Sequence, residues 1–255
     1  MAHFKLISCN VFLREACHCL ARTPPVVDVE FLELGQHADS AGLRRLLQDR
    51  ITAAGGDPRH HDAILLLYGL CGNATVGLRN STAVPLVLPR AHDCATLLLG
   101  SRQRFEQHFA AAPSTPFSSV GYLERGDYFL RPPGETGTAP QVAYGDGFAA
   151  LVEQHGEENA RYIWETMHPR GADSNRALFI ELPETAGLGH AERCRAQAAA
   201  EGKEFVLLPG SLRLIERLLA GDWPADEFLV VPPGHEITGV YDWAEIVRHR
   251  PATTP

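Results

Sequence analysis

The chain has no long apolar run. Its longest, Ala63–Cys71, falls far short of the roughly 20 residues a membrane-spanning helix needs. It has no excess of positive charge either: 23 Lys and Arg stand against 31 Asp and Glu, a net charge of −8. Nucleic acid as the main partner calls for a basic stripe, and Arg44, Arg45, Arg50, Arg102 and Arg104 are instead scattered along expected helix surfaces. Met1-Ala-His-Phe-Lys5 leads directly into a strand pattern and lacks the charged and apolar regions of a secretion signal. The expectation is therefore a cytoplasmic protein. No G-x-G-x-x-G fingerprint follows a strand, and no G-x-x-x-x-G-K-[ST] loop occurs. These two absences set aside nucleotide dehydrogenases and P-loop NTPases. No short-period repeat is visible.

What remains is an ordinary globular composition, 45% hydrophobic and 21% charged over 255 residues. That length can bury one large core or two small ones. The first half alternates strand and helix signals, the rhythm of a parallel α/β sheet. Strands are expected at Phe4–Ser8, Val27–Leu34, Ala63–Tyr68 and Val84–Leu88. Asn10 is expected to cap a helix to about Ala21. A second helix opens at Ser40 with Leu43, Leu46, Leu47 and Ile51 on one face and ends at Gly55 and Gly56. A third is expected from about Asp93 to Phe109. A linker at 111–116, an edge strand at Ser118–Leu123, a loop at 131–140 and a helix at 146–167 follow. The rhythm then resumes with strands at Ala177–Leu182, Phe205–Leu208 and Phe228–Val231, and helices at Ala191–Ala200 and Gly210–Leu219. Residues 251–255 read as a mobile polar tail. The expected fold class is α/β: two Rossmann-like lobes, 1–115 and 116–255, with mainly parallel sheets and a cleft between them.

The six cysteines carry the chemistry. Cys9, Cys71 and Cys94, with His92, each fall shortly after an expected strand. In a strand order of 2-1-3-4 the first, third and fourth strands are neighbours, so these residues converge where open α/β sheets bind ligands. Thiolates with one imidazole suit zinc or an iron–sulfur cluster. Gly69 and Gly72 bracket Cys71 in a turn that lets a ligand approach closely; the bland alternative is a tight turn whose cysteine happens to face inward. In Pro89-Arg-Ala-His-Asp-Cys94, Asp93 can cap a helix whose first turn holds Cys94, lowering its thiol pKa. His92 is then a fourth ligand or an acid/base group, and Arg90 an anchor for an anionic substrate; the alternative makes them a loop histidine and a surface charge. His37 shares the same sheet edge. Gly210 and Ser211 offer a helix start that can cradle an anion, and His235 follows a strand. Cys17-His18-Cys19 has the look of a metal motif, but residues two apart on a helix point in different directions. Cys194 reads as a small buried hydrophobe.

Cys9, Arg14-Glu-Ala-Cys17, Tyr68-Gly-Leu-Cys-Gly-Asn73 and Pro89-Arg-Ala-His-Asp-Cys94 resemble the hallmark segments of the domain-of-unknown-function 1638 family. The resemblance extends through Leu99-Gly-Ser101 and on to Pro209-Gly-Ser211 and Pro232-Pro-Gly-His235. It implies a bacterial or archaeal protein encoded near corrinoid-dependent methyltransferase systems, and it adds Cys17 to the candidate site residues. With the residue reading it leads to a metal-dependent enzyme, using zinc or a 4Fe–4S cluster, for methyl or sulfur-group transfer on a small molecule. A corrinoid protein is the implied partner; neither nucleic acid nor a membrane is expected. Two alternatives stay open: a non-enzymatic metal- or corrinoid-binding accessory protein, and a metal-free transferase using Cys94 as nucleophile with His92 as base.

Overall fold

A computed structural model describes residues 1–33, 40–57, 59–110, 115, 117–125, 176–240, 242 and 244–252. His37, the loop at 131–140, the helix at 146–167 and most of the linker at 111–116 lie outside them. The described residues form a mixed α/β structure with parallel-rich sheets. The chain divides into two compact units: Met1–Arg102 with Ser211–Pro255, and Gln103–Gly210.

The first unit is built on a five-stranded sheet, β2-β1-β3-β4-β8. Its strands are β1 (His3–Cys9), β2 (Val26–Leu32), β3 (Ala63–Leu67), β4 (Leu86–Pro89) and β8 (Phe228–Val231). The first four run parallel in the expected order. Helix α1 (Leu13–Leu20) links β1 to β2, and α2 (Ser40–Gly55) precedes β3. β3 reads Ala-Ile-Leu-Leu-Leu and is buried at every position, as a central strand covered on both faces must be. β2 is the edge strand and is half-exposed along its length. Leu43, Leu47 and Ile51 form the buried stripe of α2.

Four expectations are corrected in this unit. Asn10 does not cap a helix: a 3-10 turn, Asn10–Phe12, intervenes before α1. The helix expected from Asp93 to Phe109 is two helices, α3 (Cys94–Leu99) and α4 (Arg102–Phe109). Gly100 ends α3 in the left-handed conformation with φ 70°, and a Cβ there would stand 2.7 Å from the Ser211 Cβ. The chain breaks because another backbone presses on it at that point. The strand Phe228–Val231, expected among the second-lobe elements, is β8 and runs antiparallel beside β4. Asn80 secures it, its side-chain amide donating to Val84 O at 2.9 Å and Val231 O at 2.8 Å. Finally, Pro251 closes a hairpin instead of opening a loose tail: β9 (His235–Gly239) pairs with β10 (Val247–Pro251).

The second unit carries a parallel sheet of β5 (Phe117–Ser118), β6 (Arg176–Glu181) and β7 (Glu204–Pro209). The edge strand expected through Leu123 stops at Ser118, and α5 (Val120–Arg125) follows. Cys194 of α6 (His190–Ala200) packs with Val120, Leu123, Phe179 and Ala191, the buried hydrophobe the sequence suggested. In the first unit, α7 (Arg213–Ala220) buries Leu214, Ile215, Leu218 and Leu219 and lies beside α1.

Candidate metal centre at the carboxyl edge of the first sheet

The parallel strands β1, β3 and β4 deliver their carboxyl ends to one edge. Cys9 is the last residue of β1 and Cys71 lies four residues beyond β3. Cys94 opens α3, five residues beyond β4. Two backbone hydrogen bonds knit the later loops together: Leu70 N–H donates to Ala91 O at 2.9 Å and Cys71 N–H to His92 O at 3.3 Å. Tyr68 is the buried residue that follows β3. Burial first, then charge on Cys9, Cys71, Cys94 and Glu30, pushes its phenol far above the usual range. In the sequence Tyr68 reads as one more apolar strand residue, the first of the hallmark segment Tyr68–Asn73.

Burial, reinforced by Cys94 and partly offset by the Val11 N–H, pushes the Cys9 thiol up to about 12. His92 moves the other way. Burial and the nearby Arg102 guanidinium bring it down to about 4, against a smaller opposing effect of Asp242, so its imidazole is neutral at pH 7.

The turn bearing Cys71 is wound left-handed. Cys71, Gly72 and Asn73 have φ of 47°, 63° and 67°. Gly72 adopts this without strain, whereas Cys71 and Asn73 do so at the cost of Cβ crowding. Strain of this kind persists where the surroundings impose it and is frequent at functional sites. Gly69 has a different reason to be glycine. A Cβ there would lie 2.8 Å from Asp93 N and 2.9 Å from Ala91 O, so the chain's own backbone, not a ligand, fills the space beside it.

Three other candidates are committed elsewhere. Arg90 donates through Nε to Ala225 O at 2.8 Å and through one terminal nitrogen to Glu245 O at 3.0 Å and to Val247 O. It staples the end of β4 to the C-terminal segment and is not a free anion clamp. Asp93 is the cap the sequence suggested, its Oδ1 accepting from Ala95 N at 2.9 Å and Thr96 N at 3.2 Å. Burial raises it to about 6 against those two bonds. Gly210 N–H donates to Glu181 O at 2.6 Å and Ser211 N–H to Leu98 O at 2.8 Å. Both donors are spent on carbonyls, and the Ser211 hydroxyl accepts from Arg213 N at 3.3 Å. The proposed anion cradle is therefore corrected to a turn and a helix start. On α1, Cys17 is exposed and Cys19 buried, so the pair does not face one ion.

Two sulfurs on one zinc, each about 2.3 Å away, lie no more than about 4.6 Å apart. Among the described residues the group of three ligand atoms within 4.8 Å of one another is His3, Asp28 and His61; Cys9, Cys71, Cys94 and His92 do not draw up to that separation. The thiols share an edge, but no three of the four residues stand together as the ligands of a single ion would.

The model of a family described as Protein of unknown function (DUF1638) matches residues 31–219. The chain belongs to that family. The match spans the Cys71 turn, the His92–Cys94 segment and both glycine-bearing turns discussed above, while Cys9 and Cys17 fall before it. Comparison with curated proteins and with solved structures gives no match. No described helix is long and apolar enough to cross a membrane.

Proposed function

We propose that this member of the family is a metal-dependent enzyme whose centre is held by Cys9, Cys71 and Cys94, with His92 as fourth ligand or acid/base group. The observation that carries the reading is the delivery of three thiols to one sheet edge by the parallel strands β1, β3 and β4, with the Cys71 turn hydrogen-bonded to the His92 segment. Three thiolates that do not gather within 4.8 Å of one another suit an iron–sulfur cluster, whose thiolates each bind a different iron, better than one zinc ion. A cluster held by three thiolates would supply an iron able to bind substrate. The substrate class is a small molecule, and the reaction class methyl or sulfur-group transfer with a corrinoid protein as partner, which rests on the family resemblance.

The surroundings of the thiols support a metal over a free nucleophile. An imidazole brought down to about 4 is a weak base for activating the Cys94 thiol. Burying several thiols in one place is costly once they ionise, unless a cation pairs them. The neutral His92 imidazole is the form that ligates a metal or accepts a proton. The left-handed turn sets the backbone at Cys71, and the Asp93 cap sets it at Cys94, the first residue of α3.

Elemental analysis and absorption spectroscopy of protein purified without oxygen test the reading. Iron and sulfide in comparable amounts, lost in Cys71→Ser and Cys94→Ser variants that keep their circular dichroism, are the expected result. One zinc per chain, lost in the same variants, would replace the cluster by an ion. Protein free of iron and zinc after anaerobic purification and metal supplementation overturns the proposal.

A further inference from the structure

The amino end of the first sheet carries a second constellation. His3 opens β1, Asp28 lies in β2, and His61 lies two residues before β3. The Nε2 atoms of His3 and His61 each stand 2.9 Å from the same carboxylate oxygen, Asp28 Oδ2. The rings meet edge to face with centroids 4.7 Å apart. Backbone bonds hold the parts in register: Asp62 N–H donates to His3 O at 2.7 Å, and His3 N–H donates to Asp62 Oδ2 at 2.8 Å. Six residue steps of extended strand take the chain from His3 to Cys9, roughly 20 Å, so this group is not part of the cysteine edge.

Hydrogen bonding alone accounts poorly for the arrangement. Asp28 Oδ2 is also approached by an Arg59 terminal nitrogen at 2.8 Å, so three donors crowd one oxygen with few lone pairs to share. The His61 side chain is 1% exposed, and its Nδ1 has no hydrogen-bond partner. Nε2 is therefore the ring nitrogen through which His61 meets Asp28. Two imidazole nitrogens and a carboxylate oxygen within 4.8 Å of one another are, in contrast, a three-ligand set for a divalent ion. His3 and Asp28 are about a quarter exposed, which leaves a solvent path for entry and a fourth, water position.

We propose that His3, Asp28 and His61 form a binding site for a divalent transition-metal ion of the zinc or cobalt type. Imidazole nitrogens select such ions over magnesium and calcium, which take oxygen ligands. Arg59 is the competitor. It is half-exposed and already grips Asp57 with Nε at 2.9 Å from Oδ1 and a terminal nitrogen at 2.5 Å from Oδ2. Metal entry releases it from Asp28 to Asp57 alone. A bound ion joins β1, β2 and the approach to β3, pinning three neighbouring strands at one end.

The test uses cobalt(II) and the full chain, so that it is independent of the cysteine edge. In a Cys9→Ser, Cys71→Ser, Cys94→Ser variant, one equivalent of cobalt is expected to bind, giving weak visible bands without thiolate charge transfer. His3→Gln and Asp28→Asn, which keep side-chain size, should each weaken binding at least tenfold. Arg59→Ala should tighten it, a change no purely structural hydrogen-bond cluster predicts. Where the triple variant fails to fold, the same titration on wild-type protein separates the sites by the presence or absence of thiolate charge-transfer absorption. A folded chain with no thiol-free cobalt site, or with binding unchanged in folded His3→Gln and Asp28→Asn, overturns the proposal.

Discussion

A Cβ added to Gly69 would stand 2.8 Å from the backbone nitrogen of Asp93. The turn carrying Cys71 and the segment carrying His92 and Cys94 are thus packed backbone against backbone, and the absence of a side chain at Gly69 lets them meet. Gly69→Ala should part the two segments, destabilise the fold by about 1–3 kcal/mol in urea unfolding, and lower metal content. Gly187→Ala is the control, because nothing lies within 4 Å of the added methyl; equal losses in both variants would defeat the argument.

Cys71 sits at φ 47°, where glycine is at ease and cysteine is not. Cys71→Gly should gain about 1 kcal/mol of stability in metal-free protein while losing the metal centre. Chemical denaturation of the two metal-free proteins, side by side with metal analysis, measures both effects. A variant less stable than the parent would mean that the strained turn is held by the sulfur itself.

Arg90 spends its guanidinium on three backbone carbonyls, Ala225 ahead of β8 and Glu245 and Val247 in the C-terminal segment. Arg90→Ala should cost about 2 kcal/mol or more and loosen β10, with metal content unchanged. Arg90→Lys should rescue little, because one ammonium cannot reproduce the planar fork. Amide hydrogen exchange across 245–251 checks the location of the effect.

Thiol reactivity should follow burial. Cys17, exposed on α1, is expected to be alkylated first in native protein, followed by the half-buried Cys71. Cys194, buried and pushed up to about 11, and Cys9, pushed up to about 12, should react only on unfolding or at high pH. Timed alkylation with peptide mapping gives the order, and metal loading should remove Cys71 from the early group.

Asp242 accepts backbone N–H bonds from Glu245 at 2.6 Å and Ile246 at 3.2 Å, and these bonds first of all hold its carboxyl below the usual carboxylate range. A carboxyl whose folded pKa is depressed adds stability above its unfolded value near 3.9. It loses that stability as pH falls through the lower folded value. Asp242→Ala should therefore be destabilising at pH 6 by more than at pH 2. Unfolding midpoints of variant and parent across that range should converge toward the acid end; a gap independent of pH would assign the effect to packing.

Much of this architecture was legible in the sequence because it is local or periodic. Ala63–Leu67 is an unbroken apolar run, which reads as a central parallel strand, and Leu43, Leu47 and Ile51 recur at helical spacing. The placement of Cys9, Cys71 and Cys94 at strand ends needed only those strands and their order. The Asp93 cap is likewise a short-range signal.

The tertiary structure decided what depends on which distant backbone arrives where. Gly100 splits a continuous helical pattern because Ser211 presses on it. Arg90 and the Gly210-Ser211 turn resemble an anion site in sequence, but carbonyls remote along the chain had already taken their donors. Phe228–Val231 joined the first sheet through Asn80, 151 residues earlier than Val231. His3, Asp28 and His61 have no motif spacing at all: they meet because parallel pairing lays β1 between β2 and β3, setting the starts of the strands side by side. Periodicity reports which face of an element is buried, and only the register between elements reports which polar groups are left to do chemistry.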